Sequence, residues 1–478
     1  MAELPVRRLA TARVARVTTA LAFAAIVLAA CAPRHRSPAP AAGGPPPEVA
    51  PGAAAAADAI AAASEAAPTA AWDRLAELTD LHGNRITGST ALAGAIAWAT
   101  SRMRDDGLDD VRRDKVMVPH WVRGAEHARI VAPVTRDMAL LGLGGSVGTR
   151  GTLRAPVAAF DDLDALKAST ASLRGAIAFV NHRMPEFDEA HDDPGYLRGM
   201  QARLHAAAEA AKRGARAVLI RSVTATSLRT PHTGALQYEN GVPKIPAAAL
   251  SLEDADLLGR LAHRGRVEVE LSLGARTLPD APSANVIGEL RGRALPDEVV
   301  VLGAHLDSWD VGQGASDDGA GCVAVMEAAR LLRQAGLAPR RTVRVVLFTA
   351  EEYGLAGAKA YHEQHGAEHH VAAFETDYGM AAPDAIGVGG GDAGMQAMAP
   401  LLPLFGRFGI RRFQSRVYGS DVEAIVKDGA VAFNLQPDGR HYFDIHHTEA
   451  DTLDKVRPED IRRNAAAIAL LAWVIAER

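Results

Sequence analysis

The stretch Asp297–Gly321, "DEVVVLGAHLDSWDVGQGASDDGAG", decides the fold. It opens on Val299–Ala304, an apolar run rich in β-branched residues and without polar alternation. Such a run predicts a strand covered on both faces, as in a parallel sheet lying between helices. The run stops at His305. A glycine-rich loop then delivers Asp317 and Asp318 just before a helical pattern, "GCVAVMEAARLLRQAG". Strand, polar turn and helix in that order predict the α/β class, in which ligands bind beyond the carboxyl ends of the strands.

The same texture recurs outward from this stretch. "RTVRVVLFTAEE" ends at Glu351-Glu352, "HVAAFETD" ends at Asp377, and "DAIGVGG" is a further apolar run. "HYFDIHHTEADT" follows the last such run, and "PEDIRRNAAAIALLAWVIAE" closes the chain as a helix. Residues 281–478 are thus read as the catalytic part of a mostly parallel sheet sandwiched by helices. Upstream, "TALAGAIAWATSRMRDDGL" has apolar residues at helical spacing and Gly107 as its cap, so 71–120 is read as the N-terminal part of the same domain. Between about 121 and 280 the texture changes. Short β-like runs, "GAIAFVN" and "ARAVLIRSV", flank the helix "QARLHAAAEAAKRGA", and "KIPAAALSLEDADLLGRLA" reads as strand then helix. No metal-ligand cluster occurs there, and the segment is predicted to be an inserted domain.

The chain has 478 residues, 48% hydrophobic and 23% charged, with a net charge of −5. That balance suits a globular protein of two or three domains and excludes the basic composition of a nucleic-acid binder. The first thirty residues stand apart. Arg7, Arg8, Arg13 and Arg16 precede "TTALAFAAIVLAA", an apolar stretch too short to span a bilayer comfortably. It ends in Leu28-Ala29-Ala30-Cys31, which resembles the bacterial lipobox, so residues 1–30 are expected to be a lipoprotein signal peptide and Cys31 the lipidated first residue. Ala32 after it suggests the outer membrane, facing the periplasm. Residues 31–70, rich in Pro, Ala and Gly, are expected to be a tether, with ordered sequence beginning in the Ala-rich helix near residue 55 or at Trp72. Cys322 is the only other cysteine, so no intramolecular disulfide is expected in the mature chain.

Five places thus deliver histidine or carboxylate to one edge of one sheet: His305, Asp317-Asp318, Glu351-Glu352, Asp377 and His446-His447. An acid at one strand end is ordinarily a helix cap or a solvated loop residue, but five in this order are hard to assign to capping. Imidazole nitrogens with carboxylate oxygens suit Zn²⁺. Five protein ligands are too many for one catalytic zinc with an open position. They fit two zincs sharing a carboxylate, with water or hydroxide between them. Of the adjacent glutamates, one would then hold metal and the other take a proton from the water.

The series "AHLDS", "GASDDGAG", "TAEEYGLAG", "ETD" and "HHTEADT" resembles the two-zinc exopeptidases of the bacterial leucyl aminopeptidase type. "HLDSWDVGQG", "RSVT", "SLRTPHTG" and "GVPKIPAA" bring it nearer to the carboxypeptidase Q branch, from about residue 70 to the end. The resemblance implies a zinc exopeptidase fold, with 121–280 as a protease-associated-like domain. It implies His305, Asp317, Glu352, Asp377 and His447 as metal ligands, with Asp317 bridging. Asp307 would orient His305, and Glu351 would be the general base. His446 is left as a neighbour packing beside the site, and Asp318 as a supporting residue or helix cap. Tyr378 departs from that branch, where a small residue is expected. Short peptides with free termini are the implied substrates, and a homodimer is allowed. Three other readings stand beside this one. They are a single-zinc acyl transferase of the glutaminyl cyclase type, a non-catalytic receptor that has lost its metals, and a structural lipoprotein. The first leaves His305 and Asp377 without a joint purpose, and the second predicts missing ligands where none is missing. Within the exopeptidase reading, aminopeptidase, carboxypeptidase and dipeptidase specificity all remain open.

Overall fold

The computed structural model describes residues 52–478. The expected signal peptide, Cys31 and the first part of the tether lie outside the described residues. The tether does not extend to residue 70. Ala53–Ala66 is a helix, α1, whose Ala53, Ala56, Ala57 and Ile60 are buried in the main core. Those positions follow the three- and four-residue spacing of a helical stripe, so the ordered chain begins with the Ala-rich helix expected near residue 55 and not at Trp72.

Further helices used below are α2 (Ala70–His82), α3 (Thr90–Asp105), α4 (Gln201–Lys212) and α5 (Leu252–Arg264). They are followed by α6 (Ala320–Gln334), α7 (Ala356–His365) and α8 (Pro458–Glu477). The strands begin with β1 (Asp109–Val122), β2 (Glu126–Ala132), β3 (Arg136–Met138) and β4 (Leu140–Gly142). Next come β5 (Leu153–Phe160), β6 (Ile177–Val180), β7 (Ala217–Arg221) and β8 (Ala247–Leu250). Then follow β9 (Glu268–Leu273), β10 (Arg276–Leu290), β11 (Leu295–His305) and β12 (Arg341–Phe348). The last four are β13 (His369–Glu375), β14 (Ala385–Val388), β15 (Arg412–Gln414) and β16 (Val431–Gln436).

The main sheet has the order β1-β10-β12-β11-β13-β16-β14-β15. Its centre is parallel, from β12 through β11 and β13 to β16, and β14 with β15 is parallel as well. The pairs β1/β10, β10/β12 and β14/β16 are antiparallel, so the sheet is mixed. Successive residues of the central strands face opposite sides. Val300, Leu302 and Ala304 join Val343, Val345 and Leu347 in the core that contains α1, α2, α3, α6 and α8. Val299, Val301, Val346 and Phe348 face the other way, packing with Tyr361 of α7. Burial on both faces accounts for the unbroken apolar runs in the sequence.

The second sheet, β3-β2-β9-β5-β6-β7-β8-β4, draws its strands from residues 126–273. One face buries Ala206 and Ala210 of α4, and the other Ala255 and Leu258 of α5. The expected limits 121 and 280 fall inside the β1/β10 ladder, where Trp121 pairs with Thr277 and Val118 with Ala281. Both strands belong to the main sheet and carry the chain out to the second sheet and back.

Candidate metal centre

The four parallel strands at the centre of the main sheet end at one place. His305 is the last residue of β11, Glu351-Glu352 follow β12, Asp377 follows β13, and His446-His447 follow β16 after a loop. Asp317 arrives from the turn ahead of α6, whose N-terminus abuts β11. These are the carboxyl ends of adjacent strands, where α/β folds place their ligands.

His305 Nε2 lies 3.3 Å from Asp317 Oδ1 and 3.5 Å from Asp377 Oδ1. On the other side of the same carboxylate, Asp317 Oδ2 lies 3.2 Å from His447 Nε2, which is 3.0 Å from Glu352 Oε2. His305, Asp317 and Asp377 form one group able to hold a cation, and Asp317, His446 and His447 form a second. His305 Nε2, Asp317 Oδ2 and Glu352 Oε1 are buried without a hydrogen-bond partner. Buried polar atoms are ordinarily satisfied, so orphaned nitrogen and oxygen atoms on three residues of this cluster fit a zinc ion.

The proton affinities have the pattern of a charged cluster withdrawn from water. Burial works to neutralise His305, but Asp317 and Asp377 outweigh it and raise its pKa well above the ordinary value. Burial works to protonate Asp317, yet His305 and His447 hold it well below the carboxylate range. Burial pushes Glu352 up to about 7, with Asp317 adding and His447 opposing. Burial also drives Glu351 well up, against His305 and with Asp377, Glu352 and Asp307.

Around the centre, Asp307 and His446 depart from the reading, while Asp318 fits both roles left open for it. His305 Nδ1 is held by the backbone carbonyl of Asp307 at 3.0 Å, while the Asp307 carboxylate stands 3.9 Å away. That carboxylate instead accepts from the Glu351 amide at 3.1 Å and Thr87 Oγ1 at 3.0 Å, so it fixes the glutamate loop. Asp318 does two things: Oδ2 accepts the His305 amide at 3.2 Å, and Oδ1 caps α6 through Gly321 N at 3.2 Å. His446 does more than fill space. Its ring stacks on His447 at 3.5 Å between centroids, and its Nε2 lies 3.5 Å from Asp317 Oδ2.

Three supports escaped the sequence reading. Asp451 accepts from the amides of Ser316 at 2.7 Å and Asp317 at 3.1 Å. Arg85, fully buried, donates to the carbonyls of Leu306, Gln313 and Gly314 at 2.8 Å each, clamping the loop between His305 and Asp317. The third comes from the segment between β7 and β8 of the second sheet. Thr233 N donates to the His447 carbonyl at 3.0 Å, Thr233 O lies 3.4 Å from His447 Nδ1, and His232 Nδ1 meets the His446 carbonyl at 2.7 Å. His447 has a left-handed backbone, φ 61°, unusual outside glycine and sustained by these bonds. Tyr378 packs 5.0 Å from Tyr442, and Gly439 makes its room: a Cβ there would come 2.0 Å from the Tyr378 ring.

Residues 285–472 match the model of peptidase family M28. Mouse carboxypeptidase Q is 38% identical over 411 residues, spanning 85% of this chain and 86% of the relative. This chain belongs to peptidase family M28. As an M28 chain it is a hydrolase of the metallo-exopeptidase class. Human carboxypeptidase Q is 37% identical over 415 residues, covering 86% of each chain. The crystal structure of an M28 peptidase precursor from Shewanella amazonensis superposes with TM-score 0.83 at 36% identity, covering 89% of this M28 chain and 96% of that one. An aminopeptidase from Aneurinibacillus shares the fold at TM-score 0.63 and 20% identity, over 88% and 96% of the two chains.

Proposed function

We propose that the chain is a zinc-dependent exopeptidase acting on dipeptides or short peptides with free termini, through two zinc ions that share Asp317. The observation carrying this reading is the Asp317 carboxylate between two histidines, one oxygen toward His305 and the other toward His447. One position would be completed by Asp377 and the other by Glu352, with the His446 nitrogen beside the second. Zinc bound there supplies Lewis acidity toward the scissile carbonyl and lowers the pKa of an attacking water. Asp307 holds the Glu351 backbone, and burial, with the surrounding acids adding, raises that carboxyl's hold on a proton. Glu351 is thereby suited to accept the water's proton and return it to the leaving amine, a step worth roughly 10²–10⁴-fold. The likeness to carboxypeptidase Q over most of both chains supports peptides with free ends as substrates.

The test joins metal content to turnover. Zinc per chain is measured by elemental analysis before and after chelation, beside hydrolysis of free, N-blocked and C-blocked dipeptides. Two zincs per chain, with activity lost on chelation and restored by zinc, is the expected result. Full activity at one zinc per chain would sink the shared-carboxylate reading in favour of a single-zinc enzyme.

A further inference from the structure

Five arginines are buried among the described residues, and four of them have oxygen acceptors. Arg85 donates to carbonyls, Arg221 to Asp256, Arg330 to Glu327, and Arg344 to Glu289 and Glu368. The fifth, Arg203 on α4, is 6% exposed, and its Nε and Nη1 have no hydrogen-bond partner. No carboxylate pairs with it among the described residues; its guanidinium instead lies 5.4 Å from the centroid of the Tyr196 ring. A buried cation without a counter-ion is costly, and a guanidinium matches a carboxylate in a two-pronged geometry.

The position of this unpaired charge is informative. The Tyr196 ring that Arg203 covers meets the His446 ring edge-on at 5.1 Å between centroids. A Cβ on Gly234 would come 2.5 Å from Arg203 Nη1, so the absence of a side chain there is what admits the guanidinium. Gly234 directly follows Thr233, whose carbonyl faces His447 Nδ1. Arg203 therefore stands one side-chain layer from the two histidines. It is supplied by the second sheet's helix, while the reacting groups come from the main sheet.

We propose that Arg203 binds the free C-terminal carboxylate of the peptide, with Tyr196 as the wall of that subsite, so that the enzyme selects dipeptides and short peptides by their C-terminal end. This rests on the exopeptidase reading above and chooses among the specificities it leaves open. The carboxylate would provide the counter-charge and an oxygen acceptor that the guanidinium lacks, a few ångströms from the scissile carbonyl in a dipeptide.

The zinc-loaded protein is assayed on Ala-Leu, on Ala-Leu amide and on N-acetyl-Ala-Leu, as wild type, Arg203→Met and Arg203→Lys. Wild type is expected to favour the free C-terminus over the amide. In Arg203→Met that preference should collapse by roughly ten- to hundredfold, a charge-assisted hydrogen bond's worth, with Lys intermediate. Because Arg203 has no carboxylate to leave unpaired and methionine can still pack on the Tyr196 ring, Arg203→Met should keep its zinc and melt no lower than wild type. A wild type that cleaves the amide as fast as the free dipeptide overturns the subsite and leaves the exopeptidase reading standing. So does an Arg203→Met protein that keeps the preference, or one that loses zinc or melts lower, which would mark a structural role. A zinc-loaded wild type that cleaves none of the three peptides sinks both readings.

Discussion

Glu351 and Glu352 are adjacent, yet only Glu352 reaches a candidate metal ligand, its Oε2 standing 3.0 Å from His447 Nε2. Glutamine at either position conserves size, so a difference between the two variants reports chemistry. Glu351→Gln should retain the full zinc content and melting temperature while kcat falls roughly 10²–10⁴-fold. Glu352→Gln should lose metal from one position, because a neutral amide oxygen is the poorer ligand. Elemental analysis beside kcat on a free dipeptide decides it, and a Glu351→Gln enzyme near wild-type turnover would remove the general base from the mechanism. At this scale the acids and histidines are readable because each follows an apolar run. Their supports are not. Arg85 reaches Gly314, and Asp451 reaches Asp317, across intervals that only the folded sheet closes. The resemblance implied His447 as a ligand and His446 as a neighbour, and the stacked rings lie with both nitrogens near Asp317.

The elements that were legible are those buried on both faces. β11, β12 and β13 reveal themselves by unbroken apolar runs, and truncating Leu302 to Ala at the centre of β11 should cost about 2–5 kcal/mol in denaturant unfolding. The long ladder of β1 and β10 was harder to delimit, since an edge strand carries mixed polarity along its length. One strap ties that edge to the rest: His365 at the end of α7 meets Asp114 of β1 at 2.7 Å through Nε2 and Glu368 at 2.6 Å through Nδ1. Asp114 raises the His365 pKa, with burial opposing and Glu368 adding. A raised value stabilises fully below the unfolded pKa and fades as pH rises through the folded one. Asp114, held low chiefly by His365, loses its matching contribution only in acid. His365→Gln should therefore lower the melting temperature more at about pH 5.5 than at about pH 9. An equal loss at both would show that the imidazole acts by shape alone.

For the whole molecule, we propose attachment through lipidated Cys31 and residence in the periplasm, at the outer membrane. Acyl chains at about 0.8 kcal/mol per buried CH₂ would hold it there. Cys31→Ala should move the protein from the membrane fraction to the soluble periplasm, and equal release of both forms would count against the anchor. We also propose that the second sheet caps the cleft, so cleavage of long unstructured chains should be far slower than that of dipeptides. The bonds from His232 and Thr233 to the histidine pair extend that idea. Because a segment of the second sheet's fold grips a proposed metal ligand of the main sheet, separating the two would disturb the donor set itself. Cleft opening and metal retention are then linked quantities, and linkage runs both ways. A peptide analogue that holds the halves together should raise zinc affinity, read in equilibrium competition with a chelator, by the same factor that zinc strengthens the analogue's binding. Product release would be the moment at which such an enzyme is most exposed to demetallation.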